Sequence, residues 1–589
     1  MSTKYFFHAT EGIVPLGLES LVFRDSHLAL DAQAKVVYDK THSPSHVINI
    51  SGGSSGHEPA WSGYVGDGML AATVNGEVFA SPSAKQVMAP VEHVTSEAGI
   101  ILCITNYTGD NLHFGLAREK ALGKGGRVEI LRMTDDVALG RKHTEALGRR
   151  GLAGNLFLLK LCESASHAGY DFDTCYNIGQ SVNDNCVTVG SSLDHCHIPG
   201  REHHRSIPGD AYVLGMGIHN EPGLHEIGPM PKVDDLVADM LKYCLDPSDK
   251  DRAFVDFKPD DVVLLLINNF GGMSNFELEA LTTTVGRNLK KDWKITPTRE
   301  YTSCFETSLN APGWSLSLLN ISGIERATKT PVSQLLELLD SDTRAPAWPK
   351  NGYREAKAAK QSVQTNKLAS TEVAGGPKVD PATIESALRK ACDAAMKAEP
   401  DITKWDIQMG DGDCGEAVVG MCQGVLKKLD ARLCKADALF HILDEVDEAV
   451  EEIGGTFGAI IAIILAGFTT QLRQLFAQGG ANEQLDGKLM GKAAGGALRN
   501  LMGYTSAAVR GRTVMDTLIP FCESFEEDGD FAKAVQAGER GAKSTAGMKA
   551  KFGRATYVGE QAKSADMPPD PGAMAAAIFL QGLIGGLSQ

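Results

Sequence analysis

The feature that most constrains this chain is a change of sequence character after residue 348. Residues 349–377 are rich in Lys, Ala, Ser, Thr and Gly and contain few large apolar residues, which is typical of a linker. A chain of 589 residues is also too long for a single hydrophobic core. We therefore expect an α/β domain over 1–348, with two subdomains that divide near 190–210, and an all-α domain over 378–589.

Short apolar runs in the first half predict strands that lead into glycine-rich loops. The runs cover residues 46–50, 99–104 and 261–267, and a helical pattern over 275–289 follows the third. This alternation is typical of α/β folds, in which ligands bind at the carboxyl ends of the strands. Beyond the linker, helical periodicity covers residues 381–398, 417–429 and 436–453.

Composition excludes several classes of protein. The formal net charge of −17 argues against nucleic acid or an anionic membrane as the main partner. The 12 cysteines include no Cys-x-x-Cys pair, so reduced thiols in a cytoplasmic protein fit better than a zinc ribbon or a disulfide framework. Residues 453–472 carry no charge and are long enough to span a bilayer, but we interpret them as a buried helix of the helical domain.

Three carboxylates lie close together in residues 405–415. Asp406, Asp411 and Asp413 are interleaved with glycines that allow the backbone to turn tightly. Oxygen ligands of this kind suit Mg²⁺ bound together with nucleotide phosphates. A solvated acidic turn is the alternative, whereas the alternating ligands and distal Glu of an EF-hand are missing.

A Gly/Ser segment, Ser51 to Pro59, follows the first predicted strand. Its backbone N–H groups could surround a small polar ligand, and His57 could donate or accept a proton. A flexible turn is the alternative. The chain has no Walker A motif, so ATP would have to be bound in another way.

Two further loops carry candidate catalytic side chains. Asp110 closes the segment 106–110 after a predicted strand, where it could act as a general base or only cap a turn. His219 lies among small residues in the segment 214–222, where a ligand could approach, although a single His is more often structural.

A histidine-rich segment lies between these motifs. In a strand, His195 and His197 would share one face, and His203 and His204 follow, so a zinc site is conceivable. The segment lacks the usual spacing of zinc ligands, and we interpret it as a polar surface loop.

The chain resembles the single-chain, ATP-dependent dihydroxyacetone kinases of fungal type. The resemblance rests on four motifs in this order: the Gly/Ser segment with Gly-His-Glu-Pro, then Asn-Tyr-Thr-Gly-Asp, Gly-Met-Gly-Ile-His and Gly-Asp-Gly-Asp-Cys-Gly. Further matches are Gly454 to Thr456, Arg512 and Thr513 before Asp516, Gly553 to Tyr557, and Asp570 to Ala573. The resemblance implies an α/β domain that binds the ketose and a helical-barrel domain that carries Mg-ATP. It also implies a homodimer.

The resemblance assigns roles to individual residues. His219 would hold the substrate carbonyl as a covalent hemiaminal, which would exclude glycerol. Asp110 would accept the proton of the attacking hydroxyl, and His57 would assist proton transfer. The implied substrate contacts are Gly53, Ser54, Ser55, Gly56, His57, Thr105 and Asp110.

For the helical domain, the resemblance places Mg²⁺ on Asp406, Asp411 and Asp413. Phosphoryl transfer depends mainly on in-line positioning and charge neutralisation, which such a site would supply. The implied nucleotide contacts are Asp413, Cys414, Gly415, Glu416, Gly455, Thr456, Thr505, Thr513, Val514, Arg554, Ala555 and Thr556.

Three positions depart from the pattern that the family usually shows. Thr105 replaces a Lys, Ser54 replaces a Gly, and Phe457 replaces a Ser. The main hypothesis is a kinase acting on dihydroxyacetone and also on glyceraldehyde. The alternatives are a ketose-binding regulator without turnover, or an additional activity that splits FAD at the nucleotide site.

Overall fold

The computed structural model divides the chain into two compact units, Met1–Ser362 and Val363–Gln589. It describes residues 5–145, 148–201, 206–221, 223, 225–349, 377–409, 412–431, 438–451, 453, 455–479, 485–550 and 567–587. Most of the predicted linker lies outside the described residues, so the predicted domain limits stay predictions.

The first sheet of unit 1 is mostly parallel. Its strands are β1 (Leu28–Asp31), β2 (Val36–Asp39), β3 (Ile48–Ser55), β4 (Ala72–Val78), β5 (Ile100–Thr105) and β6 (Val128–Met133). They lie in the order β1-β2-β4-β3-β5-β6, in which β4, β3, β5 and β6 run parallel. The carboxyl ends of β3 and β5 therefore lie side by side.

The second sheet of unit 1 is mostly antiparallel. Its strands are β7 (Cys186–Ser192), β8 (Tyr212–Leu214), β9 (His225–Ile227), β10 (Val263–Asn269), β11 (Arg299–Ser303) and β12 (Gly313–Asn320). They lie in the order β11-β10-β12-β7-β8-β9. Only the β10–β11 pair among them is parallel in the described part of the chain.

Helices cover and connect the two sheets of unit 1. They are α1 (Ile13–Arg24), α2 (Ala84–His93), α3 (Thr108–Gly123), α4 (Arg141–Thr144), α5 (Leu156–His167), α6 (Phe172–Asp184), α7 (Val233–Leu245), α8 (Asn275–Asn288), α9 (Ile321–Thr328) and α10 (Val332–Leu339). Helix α5 is buried along almost its whole length and shares one core with Ile101 of β5 and Leu264 of β10. The two sheets thus pack on a common helical layer.

Unit 2 is a closed ring of helices. They are α11 (Pro381–Lys397), α12 (Glu399–Met409), α13 (Cys414–Asp430), α14 (Leu439–Glu451), α15 (Gly455–Gly479), α16 (Gly487–Leu501), α17 (Met515–Asp528), α18 (Phe531–Ser544) and α19 (Pro571–Leu587). The ring runs from α11 to α13 and then through each following helix to α19, which packs against α11. Helix α12 is not one of its steps and contacts α13 and α19. The predicted fold classes, α/β followed by an all-α helical barrel, are confirmed.

Two local expectations differ from the structure. Residues 51–55 belong to β3 rather than to a loop, because β4 and β5 pair with this segment from both sides. Helix α15 is only partly buried, since it contacts mainly its neighbours α13, α14 and α16. Its segment Thr456–Gln478 is long and apolar enough to cross a membrane by length and composition, and only 11% of its apolar window is buried.

Candidate functional site

Strand β3 carries the Gly/Ser segment into the interior of unit 1. After Ser55 the chain turns at Gly56, whose φ of 104° lies in the left-handed region. A Cβ at Gly56 would lie 2.8 Å from Cε1 of Phe79. Glycine is therefore required here for two reasons, and the turn brings His57 next to Ser54.

Three polar atoms meet beyond this turn. The Ser54 Oγ lies 3.1 Å from Nε2 of His57 and 3.1 Å from Nε2 of His219. The two Nε2 atoms are themselves 3.0 Å apart. An imidazole nitrogen without a proton can only accept a hydrogen bond. The contact between the two Nε2 atoms is therefore a hydrogen bond only if one of them carries a proton; otherwise the Ser54 hydroxyl donates to one of them.

The environment of His57 keeps its ring neutral. Its Nδ1 lies 2.7 Å from the carbonyl oxygen of Thr307, so Nδ1 donates and Nε2 keeps its lone pair. Burial, and next the charge of His219, lower the pKa of His57 to about 3. His57 can thus accept a hydrogen bond at Nε2 but is a weak base.

Glu221 orients His219. One carboxylate oxygen accepts the backbone N–H of His219 at 2.8 Å, and the other lies 3.3 Å from its Nδ1. Burial alone would raise the pKa of Glu221, but hydrogen bonds from His219 and the charges of His219 and Arg150 lower this pKa to about 2. The ionised carboxylate holds the Nδ1 proton, so Nε2 is the ring nitrogen of His219 that faces Ser54 and His57.

Asp110 is a buried carboxylate in the first turn of α3. Its Oδ2 lies 3.4 Å from the hydroxyl of Thr105, and its Oδ1 has no hydrogen-bond partner among the described residues. Burial raises the pKa of Asp110, although hydrogen bonds from Ser81 and Thr105 and the charge of His219 offset part of this effect. A carboxylate with a raised pKa and an unpaired oxygen is suited to accept a proton from a ligand.

Aromatic rings narrow the space around these groups. The His219 ring lies 4.6 Å from the ring of Tyr107 and 5.2 Å from the ring of Phe79. A methyl group at Gly53 would lie 3.4 Å from Nε1 of Trp61 and 3.7 Å from Oδ2 of Asp110. We call the region bounded by Ser54, His57, Asp110 and His219 the chamber. The surrounding rings restrict it to a ligand of a few atoms.

The chamber contains most of the predicted site residues. The polar atoms of Ser54, His57 and His219 form one hydrogen-bonded group, and those of Thr105 and Asp110 form a second. Gly53 and Gly56 line or turn the same segment. The hydroxyl of Ser55, in contrast, donates to the carbonyl of Gly76 at 2.8 Å and is not part of the network.

Two important groups escaped the sequence analysis. Glu221 lies two residues after His219, and this spacing was the available signal. Thr307 contributes its backbone carbonyl, which leaves no signal in the sequence. Of the conceivable zinc ligands, His195 and His197 lie outside strands, whereas His203 and His204 lie outside the described residues; the described residues hold no cluster of three potential ligands.

Several helices of unit 2 begin at one end of the ring. A Cβ at Gly572, near the start of α19, would lie 3.3 Å from the ring of Phe457 and 3.6 Å from Val514. Burial raises the pKa of the Cys414 thiol to about 12, and the charges of Asp406 and Asp570 add to this effect. Because free N–H groups and the helix dipole attract anions, the clustered starts of α13, α15, α17 and α19 suit phosphate groups.

Carboxylates gather at the same end of the ring. Asp406 accepts the backbone N–H of Cys414 at 2.9 Å. Burial, together with the charges of Asp516 and Asp406, raises the pKa of Asp570 to about 6, while Arg512 opposes the shift. Since a bound cation would relieve this repulsion and hard oxygens suit Mg²⁺, the carboxylates present fit that ion.

The predicted metal ligands are only partly described. Asp406 is buried beside the start of α13, Asp413 lies exposed immediately before that helix, and Asp411 lies outside the described residues. The described part of the chain contains no cluster of three potential ligands. Asp570 and Asp516 were not predicted as site residues, although both lie in segments that match the family.

The predicted nucleotide contacts fall into three groups. Cys414, Gly415, Glu416, Gly455, Thr456, Thr513 and Val514 lie at or next to the starts of α13, α15 and α17. Thr505 accepts the backbone N–H of Ala507, whose side chain packs in the same core as Val514. Arg554, Ala555 and Thr556 lie outside the described residues.

Comparison with known proteins agrees with both units. The Dak1 domain matches residues 19–347, and the DAK2 domain matches residues 408–585. Dihydroxyacetone kinase 1 of Saccharomyces cerevisiae is 38% identical over 96% of this chain and 97% of its own length. The triokinase/FMN cyclase of Homo sapiens is 29% identical over 99% of each chain.

A solved structure shares the complete architecture. The dihydroxyacetone kinase of C. freundii in complex with AMP-PNP and Mg²⁺ matches with a TM-score of 0.62 and 25% identity. The match covers 99% of this chain and 100% of that chain. The ligands of that enzyme agree with the predicted cofactors, ATP and Mg²⁺. The resemblance noted in the sequence is thus confirmed, and the chain belongs to the dihydroxyacetone kinase family.

Proposed function

We propose that this protein transfers the terminal phosphate of ATP to dihydroxyacetone, and also to glyceraldehyde, while His219 holds the substrate carbonyl covalently. The observation that carries the proposal is the orientation of His219. Its Nδ1 lies 3.3 Å from ionised Glu221, so the nucleophilic Nε2 points into the chamber. Membership of the kinase family supports the overall reaction.

Capture of the substrate follows from this orientation. The Nε2 lone pair attacks the carbonyl carbon, an N–C bond forms as the C=O π bond breaks, and the resulting alkoxide takes a proton from solvent and becomes a hydroxyl. The positive charge that develops on the imidazole is stabilised by Glu221. Glycerol has no carbonyl group, so it cannot form the adduct and is rejected by chemistry rather than by size.

Phosphoryl transfer then requires a base. As the terminal hydroxyl of the held substrate attacks phosphorus, its proton passes to Asp110, whose Oδ1 has no partner among the described residues. Burial raises the pKa of Asp110, which makes it a stronger base than an exposed carboxylate. His57, neutral and hydrogen-bonded to Thr307, keeps His219 in place and relays protons.

In unit 2, Asp406, Asp413 and Asp570 would hold Mg²⁺, together with Asp411, which lies outside the described residues. When bound, Mg²⁺ neutralises charge on the phosphate oxygens. Backbone N–H groups around the starts of α13, α15 and α17 would bind the nucleotide phosphates, although the N–H of Cys414 already donates to Asp406 and that of Met515 to Thr513.

The decisive experiment measures ADP release by the full chain with Mg-ATP and dihydroxyacetone, glyceraldehyde or glycerol. We expect turnover with the two carbonyl compounds and none with glycerol. We also expect His219→Ala to abolish turnover, and dihydroxyacetone labelled with ¹³C at its carbonyl to show a new tetrahedral-carbon NMR signal with the unmodified protein that is missing with His219→Ala. Turnover by His219→Ala would refute covalent capture, and equal turnover with glycerol would refute the proposed selection.

Two other candidate functions have specific support. Thr105, Ser54 and Phe457 depart from the usual family pattern at ligand-facing positions, which favours a ketose-binding regulator; such a protein would bind dihydroxyacetone without consuming ATP. The likeness to a triokinase/FMN cyclase favours a second activity at the nucleotide site, and release of cyclic FMN from FAD with Mn²⁺ would reveal it.

We further propose the division into 1–348, 349–377 and 378–589, a homodimer, and a location in the cytoplasm. The Dak1 match ends at residue 347 and the DAK2 match begins at residue 408, which supports a boundary region between the two domains. Limited proteolysis with mass mapping tests the boundaries, and sedimentation equilibrium tests the dimer. Fractionation of cells tests the location.

A further inference from the structure

We infer that Ser54, His219 and Glu221 form a nucleophile–base–carboxylate triad, and that this triad gives the protein a slow hydrolase activity on small, activated carboxylic esters. Ser54 is one of the three departures from the resembled family pattern, in which this position is a glycine. A glycine has no hydroxyl, so the activity would be a property of this chain rather than of the kinase reaction.

The geometry is that of an activated hydroxyl. The Ser54 Oγ lies 3.1 Å from Nε2 of His219, and the opposite ring nitrogen lies 3.3 Å from Oε1 of Glu221. The second oxygen of Glu221 accepts the backbone N–H of His219 at 2.8 Å, which fixes the carboxylate behind the ring. A nucleophile, a base and a group that orients the base thus stand in one line of contacts.

The backbone directs the hydroxyl towards the base. Pairing between β3 and β4 shifts register between Gly53 and Ser55, and Ser54 is the residue at the shift. Such irregularities change the direction of a side chain relative to a regular strand. Ser51 and Ser55, on the same strand, instead donate to the carbonyls of Cys103 and Gly76 at 2.8 Å.

His219 is a better base for Ser54 than His57 is. Both Nε2 atoms lie 3.1 Å from the Ser54 Oγ. The Nδ1 of His57, however, faces the neutral carbonyl of Thr307, whereas that of His219 faces an ionised carboxylate. Only the second arrangement stabilises the imidazolium ion that forms when Ser54 loses its proton.

The proposed reaction proceeds in two balanced steps. The Ser54 Oγ attacks the ester carbonyl, a C–O bond forms, and the hydroxyl proton passes to Nε2 of His219. The tetrahedral intermediate then expels the alcohol, which takes that proton, and the acyl group stays on Ser54. Water repeats the sequence, so that one ester and one water give one carboxylic acid and one alcohol.

The surroundings restrict the acyl group. The rings of Tyr107 and Phe79 lie 4.6 Å and 5.2 Å from the ring of His219, so a long acyl chain would collide with them and we expect preference for a short one such as acetyl. Ester attack on Ser54 and ketose capture on His219 both need the same Nε2 lone pair, so each excludes the other. The ester reaction requires neither ATP nor Mg²⁺, and its test is therefore independent of the proposed kinase function.

The test uses the full chain without nucleotide, metal or ketose. A fluorophosphonate probe transfers its phosphonyl group to an activated serine and releases fluoride, and peptide mass spectrometry locates the adduct. We expect the adduct on Ser54, its absence in Ser54→Gly, and labelling slowed at least tenfold in Glu221→Gln. The matched control Ser51→Ala, on the same strand, should keep the label, and p-nitrophenyl acetate hydrolysis should follow the same order across the variants.

Thermal unfolding of each variant separates loss of the triad from loss of the fold. If Ser54→Gly does not fold, the position of the adduct in the unmodified sequence and the rate in Glu221→Gln still decide the question. Folded protein that carries no adduct on Ser54, an adduct on His219 instead, or equal labelling of Glu221→Gln would each overturn the inference.

Discussion

Buried polar groups have different partners in the chamber of unit 1 and in the helix-start cluster of unit 2, by which we mean Asp406, Arg512, Asp516 and Asp570. In the chamber, His57 and Glu221 each have a close partner, Thr307 and His219 respectively. In the cluster, burial and the charges of Asp516 and Asp406 raise the pKa of Asp570, and Arg512 has two nitrogen atoms, Nε and Nη1, without partners among the described residues.

This difference indicates two kinds of preparation for a ligand. The chamber orients its own side chains before a substrate arrives, which suits covalent capture at a defined atom. The cluster keeps a carboxylate whose pKa is raised, Asp570, near a guanidinium with unpartnered nitrogen atoms, Arg512, which suits a cation and phosphate groups that bind and leave. Substitutions in the chamber should therefore change rate, whereas substitutions in the cluster should change ligand affinity and stability.

The largest effect is expected at Asp110. In Asp110→Asn the amide cannot accept the substrate proton, so we expect kcat to fall by about 10²- to 10⁴-fold while the protein stays folded. Steady-state ADP release with dihydroxyacetone measures the change. Because burial raises the pKa of Asp110, the rate of the unmodified enzyme should fall as pH drops through this raised pKa, and this acidic limb should vanish in the variant.

Asp173→Asn is the matched control for Asp110→Asn. Asp173 also lies in the first turn of a helix, but it pairs with Arg127 at the surface. We expect its rate to stay within about twofold, as is usual for exposed ion pairs. An equal loss in both variants would mean that Asp110 acts only through the helix start.

The second effect separates affinity from stability in unit 2. Asp570→Asn keeps an oxygen that can accept the N–H of Ala573 but removes a charge, so we expect Mg²⁺ to bind about 10- to 100-fold more weakly. Without metal the same variant should be more stable at pH 7, with a thermal midpoint about 5 °C higher, because the cost of burying the charge and the repulsion from Asp516 and Asp406 are removed. Isothermal titration and thermal unfolding measure the two changes.

The sign of the pH dependence is a further check on Asp570. Burial raises the pKa of Asp570 from 3.8 to about 6, so the folded protein binds this proton more tightly than the unfolded chain does. Metal-free stability should therefore increase as pH falls from 7 towards 4, by at most about 3 kcal/mol. Asp530→Asn, at the start of α18, is the control and should change neither metal affinity nor this pH dependence.

The sequence predicted the chamber better than the cluster, for a physical reason. Ser54, His57, Asp110 and His219 carry their proposed chemistry in the side chains of short motifs, so residue type and spacing are enough to name them as candidates. Thr307 acts through its carbonyl, and Asp570 acts through charges from other helices. Such roles depend on packing, which also explains why residues 51–55 form a strand rather than the expected loop.

A smaller effect is expected where the chamber departs from the family. Thr105 is buried, and its hydroxyl reaches Asp110. In Thr105→Lys an ammonium beside Asp110 would lower the pKa of that carboxylate and attract the incoming phosphate. We expect kcat/KM to rise about tenfold and the acidic limb to move to lower pH.

Thr105→Met separates charge from packing at this position. Met is as long as most of the Lys side chain but carries no charge, so it should leave the acidic limb where it is. The methyl group of Thr105 would lie 2.9 Å from a Cβ at Gly151, which shows how closely this wall is packed. A pH profile that moves equally in both variants would rule out the electrostatic explanation.

The smallest effect is expected at Phe457, where the cluster departs from the family. Its ring packs against two apolar clusters of unit 2, one that includes Val418 of α13 and one that includes Leu518 of α17. It also faces Gly572 at the start of α19. Phe457→Ser removes apolar contacts of a half-buried ring, so we expect unit 2 to lose about 1–2 kcal/mol of stability.

In the same variant the KM for ATP should change by no more than about threefold, because the ring supports the helix starts rather than carrying charge. Tyr504→Ser, at a side chain that is 78% exposed, is the control for stability. A large fall in KM for ATP in Phe457→Ser would instead show that this ring obstructs the nucleotide.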